Sequence, residues 1–394
     1  MKRRCDDWIE SHLEYTVERS ESPISYHLWG ALSTLSCVMQ RRCYVEWDVG
    51  GLYPNMYIGI IGPTGGRKRG PIEEVRRYMY RLRLPTMGER TTPEAVIQDL
   101  ANSETLYKDY EEQRFKIHSS ISCTVHEMSV FLGEGDRDFL GALTDWYDSG
   151  VVWRNNTKHV GRDHIVGVCV GIFAGSAPDW LPKSLTREAI KGGFIGRWLF
   201  IVEQGKRKAL SIHDLPPRNE ALYENLVFDL QQVREVYGRF MVSKKAKEWY
   251  NDWYLNIDGV KRIITDPFLH GYYERRAAHL HKIAMAVSIS RDNELVLELK
   301  DFLRALQLLE DVEGQMSGAF VAIGPIRYLD EMRLVALTIE EAGSIERSAI
   351  LKKFDRVIDV YVLEQIERTL LARGEIDATN SAGDRTYTWT GGRE

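Results

Sequence analysis

A glycine-rich segment near residue 62 combines a permissive backbone with concentrated positive charge. It follows the apolar run Met56–Ile61 and precedes a helical stretch from about Ile72 to Leu82. Glycines let successive backbone N–H groups face a polyphosphate, and Lys68 can neutralise the β- and γ-phosphate oxygens. Strand, glycine loop and helix is the order that opens a nucleotide-binding α/β domain. We therefore expect a phosphate-binding loop made of Gly62, Pro63, Thr64, Gly65, Gly66, Arg67, Lys68 and Arg69.

Two positions in this loop depart from the common phosphate-binding pattern. Arg69 follows the lysine where a serine or threonine hydroxyl usually ligates Mg²⁺, and Arg67 takes the place of a glycine. A guanidinium cannot ligate a metal ion. The sequence therefore predicts ATP as the cofactor and leaves the use of Mg²⁺ open, since the charge of Arg69 could mimic that of the cation. A surface turn with basic residues is the structural alternative.

A second apolar run ends in an acidic residue about sixty residues after the lysine. The run Ile121–Val125 is followed by His126 and Glu127. A carboxylate at the end of such a strand can hold Mg²⁺ or polarise the attacking water, and we expect Glu127 to activate water. His126 stands where an aspartate would normally support the metal. Both magnesium positions are thus altered, which argues against ordinary hydrolysis; an ordinary surface glutamate is the alternative for Glu127.

Composition bounds the class of protein. The chain has 394 residues, of which 44% are hydrophobic, and a net charge of −5. These values indicate a globular protein of two to three domains, in which any nucleic-acid surface is local. An apolar run long enough to span a membrane and an apolar signal core are both lacking, so we expect a cytoplasmic protein without a membrane partner. The five cysteines include no Cys-x-x-Cys pair, which argues against a zinc site.

The hydrophobic pattern divides the chain into four regions. Residues 1–43 are helical, with turn residues at Ser20–Pro23; residues 44–210 form the nucleotide-binding α/β core; residues 211–325 form a helical lid region; and residues 326–390 resemble a winged helix. Further elements of the core are expected at Tyr44–Trp47, Pro93–Leu100 with Thr92 as its cap, Ile165–Ala174 and Trp198–Val202.

The last region has three helical patterns followed by a hairpin pattern. They cover Met332–Ala342, Ser348–Phe354 and Val360–Arg373, and then the wing strands Ile376–Ala378 and Arg385–Trp389. The third helix carries acidic and basic side chains together. A protein–protein or regulatory role therefore suits it at least as well as binding of duplex DNA.

Several segments together resemble a family of helicase-like P-loop domains, formerly of unknown function, from phage and mobile-element primase–helicases. The resemblance runs from about residue 20 to 390 and is carried by Ser20–Pro23, Tyr53–Pro63, Gly88–Glu94, His126–Leu132, Ala177–Leu181 and Gly193–Phe200. It implies a P-loop NTPase core (AAA+/RecA-like), similar in segment order to superfamily III helicases. Helical N-terminal and lid regions and a C-terminal winged helix would complete the fold.

The resemblance also implies a hairpin that contacts single-stranded DNA. Trp153–Arg162 corresponds to this hairpin, and Asn155-Asn156 matches a turn signal. Its DNA-binding residues would be Arg154, Lys158, His159 and Arg162, which would meet phosphates in a central channel. A solvated hairpin without a ligand is the alternative.

Three further roles follow from the resemblance. Ser176 would be the polar sensor at a strand end, although Ala177 could stand at the key position. Arg197 would reach the nucleotide of a neighbouring subunit and stabilise charge in the transition state; a structural ion pair is the alternative. Arg275 or Arg276 would contact nucleotide from the lid region.

The leading hypothesis is an ATP-dependent DNA helicase or translocase from a phage or mobile-element replication system. We expect it to act as a ring, a hexamer, in the cytoplasm of the bacterial host. Its partners would be single-stranded DNA, its own subunits and a separate primase. A catalytically weakened nucleotide-binding scaffold or helicase loader is the alternative, motivated by Arg69 and His126. A motor that packages or mobilises DNA would share the ATPase but separate strands poorly.

Overall fold

The computed structural model describes residues 2–48, 50–87, 92–109, 113–133, 136–157, 161–178, 193–261, 271–326, 329–355, 357–381 and 384–391. The chain forms a mixed α/β fold that divides into two compact units, Met1–Ala319 and Phe320–Glu394. The helical N-terminal region, the α/β core and most of the helical lid region of the sequence analysis therefore belong to one compact unit.

Helices and short strands alternate through the chain up to the second unit. The helices are α1 Trp8–Val17, α2 Ile24–Met39, α3 Arg69–Leu82, α4 Pro93–Asn102, α5 Met128–Leu132, α6 Arg137–Tyr147, α7 Glu220–Arg234, α8 Lys244–Lys261, α9 Arg276–Ile289 and α10 Leu299–Ile326. The strands are β1 Cys43–Trp47, β2 Gly50–Leu52, β3 Tyr57–Ile61, β4 Glu104–Asp109, β5 Arg114–Val125, β6 Val152–Thr157, β7 Gly161–Val166, β8 Val168–Ser176, β9 Trp198–Val202, β10 Gly238–Arg239, β11 Met241–Val242 and β12 Val296–Leu297. Among the described helices of the whole chain, none is both long and apolar enough to cross a membrane.

A five-stranded sheet with the order β4-β5-β8-β3-β9 organises the first unit. β3 pairs in parallel with both β8 and β9, and β5 pairs in parallel with β8, whereas β4 is antiparallel to β5. The carboxyl ends of the four parallel strands therefore meet at one edge of the sheet. This edge brings together the chain that follows Ile61, Val125, Ser176 and Val202.

Burial explains why β3 and β9 were predicted well, whereas the expected strand Ile165–Ala174 is divided between β7 and β8 at Gly167, which has a positive φ of 64°. Every residue of β3 and β8 is buried, as expected for parallel strands covered on both faces. β9 has the predicted bounds, and β3 begins one residue later than predicted. β5 is much longer than the predicted Ile121–Val125, because its first residues form an exposed antiparallel ribbon with β4 rather than a buried strand.

The second N-terminal helix is part of the core of the first unit. α2 is buried on nearly every face and contacts α1, α3, α7, α9 and β8. A helix buried in this way is mostly apolar, and the buried hydroxyls of Thr34 and Ser36 in α2 donate to the carbonyl oxygens of Gly30 and Pro54. The predicted break at Ser20–Pro23 is confirmed, since α1 ends before it and α2 starts after it.

The predicted hairpin is present, but its predicted turn is wrong. β6 and β7 pair from Val152↔Val166 to Thr157↔Gly161, and both Asn155 and Asn156 have partners in the ladder. The pairing continues beyond the two asparagines because backbone hydrogen bonding, which any residue can supply, sets the length of the ladder. The described ladder ends at the pair Thr157↔Gly161, and residues 158–160 lie outside the described residues.

The second unit contains three short helices and a three-stranded antiparallel sheet. The helices are α11 Leu329–Ala342, α12 Arg347–Lys353 and α13 Val360–Ala372, and the strands are β13 Ser344–Glu346, β14 Ile376–Ser381 and β15 Asp384–Trp389, in the order β13-β15-β14. Its core is built from apolar side chains of all three helices and of β14 and β15. The sequence predicted these elements except β13, which is too short to show a hydrophobic pattern.

Candidate functional site

The glycine loop and the residues that follow β5 form the walls of an open cleft at the carboxyl edge of the central sheet. The cleft has a volume of about 540 Å³ and is lined by Thr64, Gly65, Gly66, Arg67, Lys68, Arg69, Glu73, His126, Glu127 and Ala177. Most of the residues expected to bind nucleotide therefore lie together, at the edge where ligands bind in open parallel sheets. α3 starts at Arg69, so its first backbone N–H groups, which have no partner within the helix, belong to the same site.

Lys68 is folded back on the loop that precedes it. Its Nζ donates to the carbonyl oxygens of Gly62 (2.6 Å) and Pro63 (3.1 Å). Partial burial lowers the pKa of Lys68 below its usual value, and the nearby negative charge of Glu127 opposes this shift. The carbonyl groups are neutral dipoles, so they do not neutralise the lysine, whereas a phosphate would carry the full negative charge that does. The geometry suits a lysine that exchanges carbonyl oxygens for phosphate oxygens.

Gly62 is required by a close approach from α2. The hydroxyl of Tyr26 donates to the carbonyl oxygen of Ile61 (2.7 Å), and a Cβ at Gly62 would lie 2.5 Å from that hydroxyl. Only glycine fits such a distance without movement of the neighbouring group. Tyr26 thus anchors the junction between β3 and the loop.

Arg67 is held by residues that precede α2. It adopts a left-handed backbone conformation (φ 59°), its Nε lies 2.5 Å from Glu21 Oε2, and its carbonyl oxygen accepts a hydrogen bond from Ser22 Oγ (2.6 Å). Glu21 also accepts from the backbone N–H of Leu210 (2.9 Å) and pairs with Lys206 (3.3 Å). These contacts lower the pKa of Glu21, the hydrogen bond from Leu210 most strongly. Neither Glu21 nor Ser22 has a role predicted from sequence, although both belong to the Ser20–Pro23 segment that carries the resemblance.

His126 belongs to a network that the sequence did not reveal. Its Nε2 lies 2.8 Å from Glu73 Oε1 and 3.3 Å from Arg76 Nη1. Because a carboxylate oxygen accepts, the shorter contact is satisfied by an Nε2–H that donates to Glu73, and the same nitrogen then does not accept from Arg76. Arg76 is buried and also donates to the carbonyl oxygen of Thr124 (3.0 Å). The i, i+4 spacing of Arg69 and Glu73 was the available signal that Glu73 faces the loop.

The donor set does not fit a magnesium ion held in the usual way. Mg²⁺ takes oxygen ligands in an octahedral arrangement. The position after the lysine carries a guanidinium, and the position after β5 carries an imidazole that contacts Glu73 and Arg76. Among the described residues, no group of three or more His, Cys, Asp or Glu side chains is arranged to hold a metal ion.

Glu127 is exposed on the cleft, directly before α5. Its side chain makes no capping hydrogen bond to that helix. The carboxylate is therefore available to a water molecule at the mouth of the cleft. Gly175 explains how the strand ends come so close, since a Cβ on Gly175 would lie 2.6 Å from the carbonyl oxygen of His126.

The predicted sensor Ser176 contacts the loop through its backbone. Its carbonyl oxygen accepts from Gly62 N (3.2 Å), while its buried hydroxyl donates to the carbonyl oxygen of Ala177 (3.0 Å). Ala177, rather than Ser176, lines the cleft. The hydroxyl of Ser176 is thus engaged by the backbone, and Ser176 is not among the residues that line the cleft.

Arg197 lies at the opposite edge of the central sheet from Lys68. It directly precedes β9, which is parallel to β3, whereas Lys68 follows β3. Five residues of strand separate the two edges by about 16 Å. Arg197 is buried, pairs with Asp148 (Nη2 to Oδ2, 2.5 Å) and donates to the carbonyl oxygen of Gly193 (2.9 Å). In this conformation it forms an ion pair and cannot reach the cleft of its own chain.

The two arginines proposed for the lid region have different surroundings. Arg276 is buried and forms a bidentate pair with Glu313 (2.6 and 2.8 Å), which indicates a structural role. Arg275 lies beside Arg197, since both guanidiniums come within 3.4 Å of the position of a Cβ at Gly193. Burial and the charge of Arg197 lower the pKa of Arg275. Arg275 therefore belongs with Arg197 and not with the glycine loop.

The residues predicted to bind DNA are only partly described. Arg154 is exposed on β6, opposite His164 of β7. The backbone of Arg162 lies in β7, while its side chain, like Lys158 and His159, lies outside the described residues.

No family model matches this sequence, and no curated protein is significantly similar to it.

Proposed function

We propose that this protein is an ATP-dependent DNA helicase or translocase of a phage or mobile-element replication system, in the cytoplasm of the bacterial host. The observation that carries the proposal is the meeting of Lys68 and Glu127 in one cleft, directly after a buried parallel strand. A P-loop NTPase core of the AAA+/RecA-like kind accounts for this arrangement. The segments that resemble the helicase-like family support the same assignment.

The cleft contains groups for two parts of the reaction. Lys68 and the start of α3 would bind the phosphates, because both present positive charge and N–H donors to one position. Glu127 would orient the attacking water and accept its proton. The remaining requirement is a positive group at the γ-phosphate, which stabilises the charge that grows in the transition state.

The distance between Arg197 and Lys68 supports action between subunits. Since the two residues lie at opposite edges of one sheet, Arg197 can meet a nucleotide only in another copy of the chain. Contacts of this head-to-tail kind form a ring where the rotation between neighbouring copies closes. A ring, expected to be a hexamer, would therefore hold each nucleotide between neighbouring copies. Arg197 would leave Asp148, which is 57% exposed, for the phosphate.

The hairpin β6–β7 is the proposed contact with single-stranded DNA. Arg154 is exposed there and can pair with phosphates. The second unit has the helix and strand order of a winged helix. Three apolar residues near the start of α13, Val357, Val360 and Tyr361, are exposed, which favours a protein partner such as a separate primase over duplex DNA.

A catalytically weakened nucleotide-binding scaffold or helicase loader is the second candidate. The contacts of His126 with Glu73 and Arg76 favour it, because they occupy the position that supports the metal in an ordinary hydrolase. Both the motor and the scaffold would bind ATP, but only the motor would hydrolyse it at a substantial rate.

The test is ATP hydrolysis with and without single-stranded DNA, alongside ATP binding, for the natural protein, Lys68→Ala and Glu127→Gln. Lys247→Ala and Glu104→Gln are matched controls, since both residues are exposed and lie outside the cleft. We expect DNA-stimulated hydrolysis that falls at least about a hundredfold in both site variants and stays unchanged in the controls.

Two results would contradict the motor. Binding of ATP without turnover would favour the scaffold. Absence of ATP binding in the natural protein would exclude both candidates.

A further inference from the structure

We propose that the cleft binds the polyphosphate of ATP without a divalent cation, and that the guanidinium of Arg69 takes the place of that cation. This inference rests on the proposed nucleotide-binding function. It concerns how the site balances charge, which the helicase and scaffold hypotheses leave open.

Arg69 is positioned to meet a phosphate and is only weakly held. It is the first residue of α3, lines the cleft, and its side chain is 83% exposed. Its Nε lies 3.8 Å from Glu73 Oε1, which is too long for a hydrogen bond. A guanidinium at this position can turn towards two phosphate oxygens at once, since its fork of N–H donors matches their spacing.

The two positively charged neighbours of Arg69 differ in the contacts that hold them. Arg67 contacts Glu21 at 2.5 Å and is tied to the segment before α2. Lys68 donates to two neutral carbonyl oxygens and lies near the charge of Glu127, which lines the same cleft. Lys68 and Arg69 therefore supply the positive charge that is available to a ligand in the cleft, without the loss of a close ion pair.

Glu73, one of the two acidic residues that line the cleft, already has cationic and hydrogen-bonding partners. Glu73 Oε1 lies 2.8 Å from His126 Nε2 and 3.4 Å from Arg76 Nη1, and the Arg76 side chain is only 8% exposed. A divalent cation at Glu73 would have to displace these partners and would face the charges of Arg69 and Arg76 at short range. Arg76 is buried, so solvent screens its charge poorly and its repulsion disfavours a cation there.

The experiment is calorimetric titration of the natural protein with ATP, once in excess EDTA and once in excess MgCl₂. We expect the two dissociation constants to agree within about fivefold. Binding that is weaker in EDTA by more than about fivefold would overturn the inference while leaving the proposed function intact. A lack of ATP binding under both conditions would overturn the two together.

Substitution of Arg69 tests the source of the charge. Arg69→Ser removes the guanidinium and restores the hydroxyl that ligates Mg²⁺ in the common pattern. We expect its affinity for ATP in EDTA to fall by about tenfold, whereas Arg69→Lys retains most of the affinity. Arg81→Ser is the matched control on the same helix, since Arg81 pairs with Glu224 outside the cleft. Equal affinity of Arg69→Ser and the natural protein in EDTA would contradict the inference, provided that thermal unfolding shows both to be folded.

Discussion

The carboxylate of Glu21 contacts the guanidinium of Arg67 at 2.5 Å and so joins the segment before α2 to the glycine loop. The neighbouring Ser22 fixes the same residue through its carbonyl oxygen. Arg67 has a left-handed backbone, which costs energy for a residue with a side chain. The two contacts therefore stabilise a loop conformation that the loop alone would populate less.

Loss of the Glu21 carboxylate should weaken nucleotide binding, although Glu21 does not line the cleft. We expect Glu21→Gln to raise the dissociation constant for ATP by roughly two- to fivefold, because the ion pair is partly exposed and each lost contact loosens the loop. Glu18→Gln is the control, since Glu18 pairs with Lys208 and lies outside the cleft. If both substitutions raise the dissociation constant for ATP equally, the effect comes from the charge of this region and not from the contact with Arg67.

Gly62 and Tyr26 should show strong coupling. Gly62→Ala places a methyl group against the Tyr26 hydroxyl, and we expect it to reduce the free energy of unfolding by about 1–3 kcal/mol. Tyr26→Phe removes the hydroxyl and its hydrogen bond to Ile61, at a cost of about 1 kcal/mol. The double variant should be more stable than the sum of the two effects predicts, because the clash is partly relieved. Urea denaturation of the four proteins measures the coupling, and strict additivity would refute the close contact.

Mixing of inactive variants tests whether Arg197 acts between subunits. We expect Lys68→Ala and Arg197→Ala to be inactive alone, with a loss of at least about a thousandfold for an arginine that meets the transition state. An equimolar mixture should regain up to about a quarter of the natural rate, since one interface in four would combine an intact lysine with an intact arginine.

Arg275→Ala should behave like Arg197→Ala when it is mixed with Lys68→Ala. Its guanidinium shares the surroundings of Gly193 with Arg197. Arg276→Ala should instead lower stability, because it leaves Glu313 without its bidentate partner. Failure of every mixture to recover activity would count against action between subunits.

The buried Lys282 predicts a specific dependence of stability on pH. Its Nζ donates to the carbonyl and side-chain oxygens of Asn55 (2.8 and 2.9 Å) and lies 4.1 Å from the centre of the Tyr147 ring. Burial nevertheless lowers the pKa of Lys282 from 10.5 to about 7. Because the folded-state pKa lies below the unfolded-state pKa, unfolding takes up a proton between these two values.

The contribution of Lys282 to the free energy of unfolding should therefore increase with pH from about 7 towards 10.5, by up to about 1.4 kcal/mol per pH unit. Lys282→Met lacks this titration, so the difference in stability between it and the natural protein should change with pH over that range. Lys247→Met, at an exposed position, should show a constant difference. Urea denaturation between pH 7 and 9, within the interval from about 7 to 10.5 over which unfolding takes up the proton, measures both. A pH-independent difference for Lys282→Met would contradict the prediction.

The sequence alone determined the parts of the site that depend on local pattern. The buried run before Gly62 and the helix after it predicted β3, the loop and α3. The apolar run Ile121–Val125 predicted the end of β5, which Glu127 follows. The run Trp198–Val202 predicted β9, which begins directly after Arg197. Local signals suffice there because burial on both faces leaves a continuous apolar run, and glycine marks the backbone that follows it.

Only the tertiary structure decided which distant side chains meet. Glu73 and His126 are far apart in sequence, and so are Glu21 and Arg67, yet each pair is in contact. The opposite locations of Lys68 and Arg197 follow from the parallel pairing of β3 with β9. Strand pairing and side-chain contacts of this kind depend on the packing of the whole unit. A helical or extended pattern in one segment carries no information on the partner that packing brings to it.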